Sequence, residues 1–240
     1  LSKPVTFLSA EWRKLAFANY AVDKDILTKY LPPHTELDDW NGKYFVSLVG
    51  FMFVDVKLKG FNIPFHTTFE EVNLRFYVKF KDQGGWKRGV VFIKEFVPKP
   101  AITFVANNIY KENYQTLPMK HVWIEQVHQL EVDYFWKNNA WNKFSITADS
   151  KLKEIEVGSE EEFITEHYWG YTKLNEKVSS EYGVEHPRWQ VYPVKDYQIT
   201  VDFEANYGAD FGFLSLAKPD SVMLAEGSEI RVLKGKRVTG

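Results

Sequence analysis

The sequence predicts a mainly β protein with a few short helices, folded as a single domain over residues 1–240. Three observations point there. Aromatic residues reach 17%, with 19 Phe, 13 Tyr and 8 Trp, and such rings favour pleated, half-buried surfaces. Glu71 to Lys81 alternates cleanly, with Val72, Leu74, Phe76, Val78 and Phe80 on one face and Glu71, Asn73, Arg75, Tyr77 and Lys79 on the other. Strand-length runs recur at short spacing with turn signals between them, which favours an antiparallel barrel or sandwich closed against edge exposure. A chain of 240 residues with 45% hydrophobic and 26% charged residues builds a real core, and all-β units of this length are common.

In chain order, Arg13 to Tyr20 reads as a strand. Asp23 caps a short helix carrying Ile26, Leu27, Tyr30 and Leu31, which Pro32-Pro33 stops. Asn41-Gly42 is a hairpin turn. Tyr44 to Leu58 is too apolar on both faces for a solvated strand. The alternating strand follows, and Gly84-Gly85 turns it into a partner over Lys87 to Val97. After Pro98 the period becomes helical through Ile102, Val105, Ala106, Ile109 and Tyr110, with Pro100 suited to the first helical position and Lys99 at the cap. Strands are expected over 122–127, 130–136, 143–148 and 152–157. Ser159 and Glu162 form a capping box for one short helix. Strands resume over 168–174, 188–192 and 198–203. A short helix over 209–216 and a final hairpin, 222–224 with 229–233, complete the chain.

Composition excludes several classes. The formal net charge of -2 gives no basic field for nucleic acid or an anionic membrane. With no cysteine there are no disulfides and no thiolate metal sites, which fits a reducing cytoplasm. Leu1 to Trp12 lacks a basic start followed by a long apolar run, so no signal peptide is expected, nor any membrane span. The six histidines are scattered, and no pair has ligand spacing around a glutamate, which excludes a zinc-protease motif; a metal assembled from distant strands has no support, so none is expected. Ser47 and Ser215 lack a hydrolase elbow. No phosphate or dinucleotide loop is present, so no cofactor is called for. Edge strands and aromatic surface favour self-association into a homo-oligomer.

Without a cysteine, the strongest nucleophile candidate is Lys99, in Phe96-Val97-Pro98-Lys99-Pro100. Apolar neighbours and a helix start both favour the uncharged amine, which attacks carbonyls to form a Schiff base. A helix start contributes only roughly 0.3–1 kcal/mol, so burial must supply most of the effect. The other reading is a lysine that reaches solvent or pairs with Glu95. Lys94 is a rival: if Phe92, Lys94 and Phe96 face inward, Lys94 enters the interior instead. Arg13 reads either as a surface arginine or as a two-pronged partner for a substrate carboxylate. Glu71, Arg75 and Tyr77 share a face that is either the wall of a polar cavity or the wet side of a sheet.

Three stretches resemble acetoacetate decarboxylases. They are Trp12-Arg13-Lys14-Leu15-Ala16-Phe17-Ala18-Asn19-Tyr20-Ala21-Val22-Asp23 with Leu27, Leu31 and Pro32; Phe69-Glu70-Glu71-Val72; and the Pro-Lys stretch at Lys99. The chain as a whole more closely resembles the YqjF-like uncharacterised bacterial family of the acetoacetate-decarboxylase-like superfamily. That resemblance rests on Phe7-Leu8-Ser9-Ala10-Glu11-Trp12-Arg13, Val46-Ser47-Leu48-Val49-Gly50-Phe51 and His186-Pro187-Arg188-Trp189. It implies an antiparallel double-sheet barrel with an internal cavity and a small-molecule ligand, a carboxylate among the choices. It further implies Lys99 as imine-forming nucleophile on a keto acid, Arg13 as carboxylate partner and Glu71 as pocket carboxylate, with no cofactor. The decarboxylases carry a second lysine where this chain has Pro100. That departure favours the alternative, a non-catalytic small-ligand-binding protein on the same fold.

Overall fold

A computed structural model describes residues 5–239. The first four residues, Gly240 and the Tyr110 side chain lie outside the described residues, so the leader expectation and the last position of the helical stripe fall partly there.

One sheet closes into a ring. Its strands run in the order Ser221–Leu233, Thr6–Val22, Tyr44–Leu58, Phe69–Asp82, Gly85–Val97, Trp169–Asn175 and Val178–Glu185, and the last pairs back onto the first. Every neighbour pair is antiparallel except Gly85–Val97 with Trp169–Asn175. A second antiparallel sheet, Val194–Thr200, Ala140–Ala148, Gln129–Asn138 and Met119–Gln126, packs on the outside of the ring.

This architecture explains the run that is apolar on both faces. Phe45, Val49, Phe51 and Phe53 of Tyr44–Leu58 point into the ring. Val46, Leu48 and Met52 point at the second sheet, where they meet Leu130, Val132, Tyr134 and Trp136. Gly50 lies on that outer face, and a Cβ there would sit 2.8 Å from the Tyr134 ring. The second sheet could not approach so closely over any other residue.

Two bulges change which residues face inward. At Lys14 the backbone turns to φ 52 and the register against Tyr44–Leu58 shifts. Trp12 and Leu15 therefore both face the interior, three positions apart. Gly227, at φ 83, lies opposite Arg13 in the neighbouring strand, where a Cβ would sit 2.0 Å from the Trp12 carbonyl oxygen. The second bulge is at Ile93: Leu74 pairs with Lys94 but Arg75 pairs with Phe92. An extra residue in one strand re-aims everything beyond it.

Several elements differ from the expectation. The strand over 152–157 reduces to Lys153–Glu154. Val178–Glu185 is a strand and Phe203–Tyr207 a helix, neither foreseen. The final hairpin is one strand, Ser221–Leu233, bent at Gly227 and paired with Thr6–Val22 along its length. The segment over 209–216 is a 3-10 helix, Ala209–Ser215. Ser159 caps Glu160–Thr165 by accepting from the Glu162 amide, but Glu162 reaches back to the Gly158 amide instead of completing the box. Lys99 is the N-cap of Pro100–Val105, as expected, without a side-chain cap bond. That helix then widens into a π turn, Ala106–Tyr110, ended by Lys111 at φ 60. No described helix is long and apolar enough to cross a membrane.

Candidate functional site in the ring interior

The ring interior holds a partly open cavity of about 180 Å³. Its walls are largely apolar, with the rings of Trp12, Phe51, Phe69, Phe92, Trp169 and Trp189 among them. Phe163 and Ile164, from the helix Glu160–Thr165, pack into the same interior, with Phe163 against Phe45 and Tyr77. The helix after Lys99 contributes Ala101, Ile102, Val105 and Ala106 to the lining.

A polar row crosses this apolar chamber. The inner face of Phe69–Asp82 supplies Glu71, Asn73 and Arg75, all buried. Asn73 Nδ2 donates to Glu71 Oε1 at 2.9 Å, and Tyr114 Oη donates to Glu71 Oε2 at 2.9 Å. Tyr114 is itself held by two bonds to the Asn107 side-chain amide in the π turn. The turn, of a kind often found at functional sites, is thus latched to the buried carboxylate. Glu95 is the cross-strand neighbour of Asn73, and Glu112 accepts from Thr172 Oγ1 at 2.8 Å.

Three carboxyls so close and so dry resist ionisation. Burial pushes Glu71 up to about 7, against the bonds from Asn73 and Tyr114 and the charge of Arg75. Burial likewise carries Glu112 to about 7. Glu95 lies well above the usual carboxylate range through burial, then through repulsion from Glu112 and Glu71.

The other end of the row is basic. The Arg75 guanidinium lies 5.2 Å from the Phe17 ring centre and 5.7 Å from that of Tyr77. Its Nη2 donates a long hydrogen bond, 3.5 Å, to the Ile164 carbonyl oxygen, and its Nε is buried without a partner. Beside it stands His167, whose Nε2 meets Asp38 Oδ2 at 3.2 Å. Burial lowers His167 to about 4. Asp38 also accepts from Arg88 Nε at 2.7 Å. Burial alone would raise Asp38, but the bonds from His167 and Arg88 hold it below the ordinary range. Trp12 Nε1, Asn73 Oδ1, Glu95 Oε2 and His167 Nδ1 share the condition of Arg75 Nε, being buried, unpartnered and carried by residues of the cavity wall.

The structure does not bring Lys99, Glu71 and Arg13 together. Glu71, Arg75 and Glu95 line the cavity, and Tyr77 stands just behind it, its hydroxyl on Ser47 and its ring against His167. Arg13 faces outward, because the Lys14 bulge turns Trp12 and Leu15 in; it pairs with Glu11 at 2.6 Å and Glu226 at 3.5 Å. Lys94 also faces outward, because the Ile93 bulge turns Phe92 and Glu95 in. Its amine lies over the Phe96 ring, and burial lowers its pKa. Lys99 is half-buried and its charge is felt by Glu70, which binds His121 of the second sheet on the outer side. None of the described residues lining the cavity is a lysine. Asp38, Glu112, Tyr114 and His167 escaped the sequence reading. Asp38 and His167 are 129 positions apart, so no local motif links them.

Among the described residues no group of His, Asp and Glu is arranged to hold a metal ion. Known proteins agree with this architecture. The DUF2071 family model, whose description is an uncharacterised conserved protein, matches residues 9–229. A stretch of 75 residues is 36% identical to the uncharacterised protein YqjF of Bacillus subtilis (strain 168), covering 31% of this chain and 31% of that relative. Among solved structures, acetoacetate decarboxylase from Legionella pneumophila superposes with a TM-score of 0.65 at 14% identity, covering 100% of this chain and 90% of that one. The enduracididine biosynthesis enzyme MppR, solved with pyruvate, gives 0.63 at 15% identity, with 99% and 91% covered. An acetoacetate decarboxylase-like enzyme from Sphingomonas wittichii RW1 gives 0.61 at 9% identity, with 98% and 94% covered. These likenesses establish the acetoacetate-decarboxylase-like fold.

Proposed function

From the premise that the chain belongs to the DUF2071 family, with an acetoacetate-decarboxylase-like fold, we propose that it holds a small, mainly apolar molecule non-covalently inside the ring. The observation that carries this reading is the set of buried, unpartnered polar atoms on the walls of a mainly apolar chamber. Leaving such groups unmet is unfavourable by about 1–3 kcal/mol each, so a bound molecule with a few matching polar atoms relieves them. The size agrees, since a dry cavity of about 150 Å³ holds benzene. Aromatic walls with a few convergent polar groups are the usual make-up of a small-molecule site.

A lysine-imine enzyme acting on a small keto acid is the competing reading. The likeness to acetoacetate decarboxylase over the whole chain favours it; the absence of lysine from the lining opposes it. One experiment separates them. The protein is incubated with pyruvate and acetoacetate, treated with borohydride, and mapped by mass spectrometry, while toluene and phenylacetate are titrated against tryptophan fluorescence. Saturable quenching without a lysine adduct is the expected result. A reduced adduct at Lys99 or Lys94 establishes the imine reading instead, and no response to any probe removes the pocket reading.

A further inference from the structure

The geometry points to a second functional unit in the cavity: His167, oriented by Asp38, is a hydrogen-bond acceptor that works beside Arg75 to read a carboxylate carrying an adjacent hydroxyl. This inference rests on the non-covalent pocket reading and gives it a ligand class.

Consider what the fold does to the imidazole. His167 is clamped between Tyr77, 4.7 Å away between ring centres, and Phe163, 5.1 Å away. Its side chain is 1% exposed. Asp38 accepts from Arg88 on the same oxygen that meets His167 Nε2, and Lys79 stands 4.0 Å from the other oxygen. Asp38 is therefore a fixed, ionised acceptor, and it assigns the imidazole proton to Nε2. Nδ1 then carries a lone pair. It is buried and unpartnered, on a residue of the cavity wall. With burial holding the ring neutral at ordinary pH, Nδ1 accepts and does not donate.

Arg75 is the complement. A buried guanidinium stays charged, and its Nε–H has no acceptor in the protein. Arg75 and His167 flank the same Tyr77 ring, and Arg75 also reaches the carbonyl of Ile164, three residues before His167. The chamber wall thus carries a charged donor and a neutral acceptor on two residues that share the Tyr77 ring. A bare carboxylate satisfies the first and repels the second. A simple alcohol satisfies the second and leaves the guanidinium dry. A hydroxy acid satisfies both: its carboxylate accepts from Arg75 and its hydroxyl donates to His167 Nδ1. The aromatic walls favour an apolar remainder.

Three probes of one skeleton test this in the intact protein: mandelate, phenylacetate and toluene. Mandelate is expected to bind about 10-fold more tightly than phenylacetate, the worth of one buried hydrogen bond. His167→Phe keeps the ring packing and leaves Asp38 on Arg88 and Lys79; it should abolish the preference while still binding phenylacetate and toluene. Arg75→Met should lose both acids and keep toluene. Equal affinity for the two acids, or a preference that survives His167→Phe, overturns the inference while the pocket reading stands. Failure of all three probes to bind the unaltered protein overturns both. Should either variant fail to fold, nitrogen-15 spectra of the unaltered protein still decide: an Nδ1 signal of a bare lone pair that shifts on adding mandelate supports the inference, and a protonated Nδ1 in the free protein refutes it.

Discussion

The strand Phe69–Asp82 is buried on both faces, yet the two faces do opposite work. Val72, Leu74, Phe76 and Val78 face the second sheet in a mainly apolar layer, whose buried Asn142 and Asn206 are hydrogen-bonded. Glu71, Asn73 and Arg75 face the ring interior, equally dry, with unmet polar atoms and shifted carboxyls. The difference teaches how this fold separates a filled layer from a hollow one. The outer layer fills its space with side chains and keeps the ring shut. The inner layer retains space and polar groups, which stabilises nothing unless something enters.

The largest effect expected from breaking this division is in the outer layer. Trp136 is fully buried and donates from Nε1 to Asn206 at 2.9 Å. Trp136→Ala should destabilise by about 3–5 kcal/mol in urea unfolding monitored by circular dichroism. A loss below ~1 kcal/mol would show that the second sheet is not needed to hold the ring.

Next comes the bend in the ring strand Ser221–Leu233. Gly227→Ala imposes a Cβ at φ 83 against the Trp12 carbonyl, so roughly 1–3 kcal/mol of strain should appear in the same assay. An unchanged midpoint would mean that the bend can relax without the glycine.

The inner layer predicts a pH signature of comparable or smaller size. Glu112 has a folded-state pKa raised to about 7, so the folded protein holds more protons than the unfolded chain between about 4.5 and 7. Its contribution is present at low pH and is lost as pH rises through that window. His167, lowered to about 4, acts in the opposite sense between about 4 and 6.5, gaining stability as pH rises. The clean measurement is therefore a difference. Glu112→Gln should gain on the unaltered protein by on the order of 1–3 kcal/mol between pH 4.5 and pH 7.5. A pH-independent difference would place that carboxyl in water.

The smallest effect belongs outside both layers. Arg13 makes part-exposed ion pairs, so Arg13→Ala should change stability by about 0.2–1 kcal/mol and leave phenylacetate titration unchanged. Loss of acid binding in that variant would return Arg13 to the site.

The division was half legible in the sequence. The alternation of Glu71 to Lys81 named both faces correctly but left open whether the polar one was wet or enclosed, because period two is the same in either case. Proline and the change of period located the helix after Lys99. The family resemblance offered Arg13 to the pocket and strand parity offered Lys94; bulges at Lys14 and Ile93 turn both outward. Neither bulge has a glycine or proline to announce it.

Local chemistry, then, determined what depends on neighbours in the chain: a mainly β class, the long strands, the caps at Asp23, Ser159 and Lys99, and the wealth of aromatic rings. Closure of the ring decided the rest. It made the polar face of one strand an interior and set His167 against Asp38 from 129 positions away. Side-chain spacing along one strand is fixed by the backbone, but register across strands and burial on both faces arise only when distant strands pair.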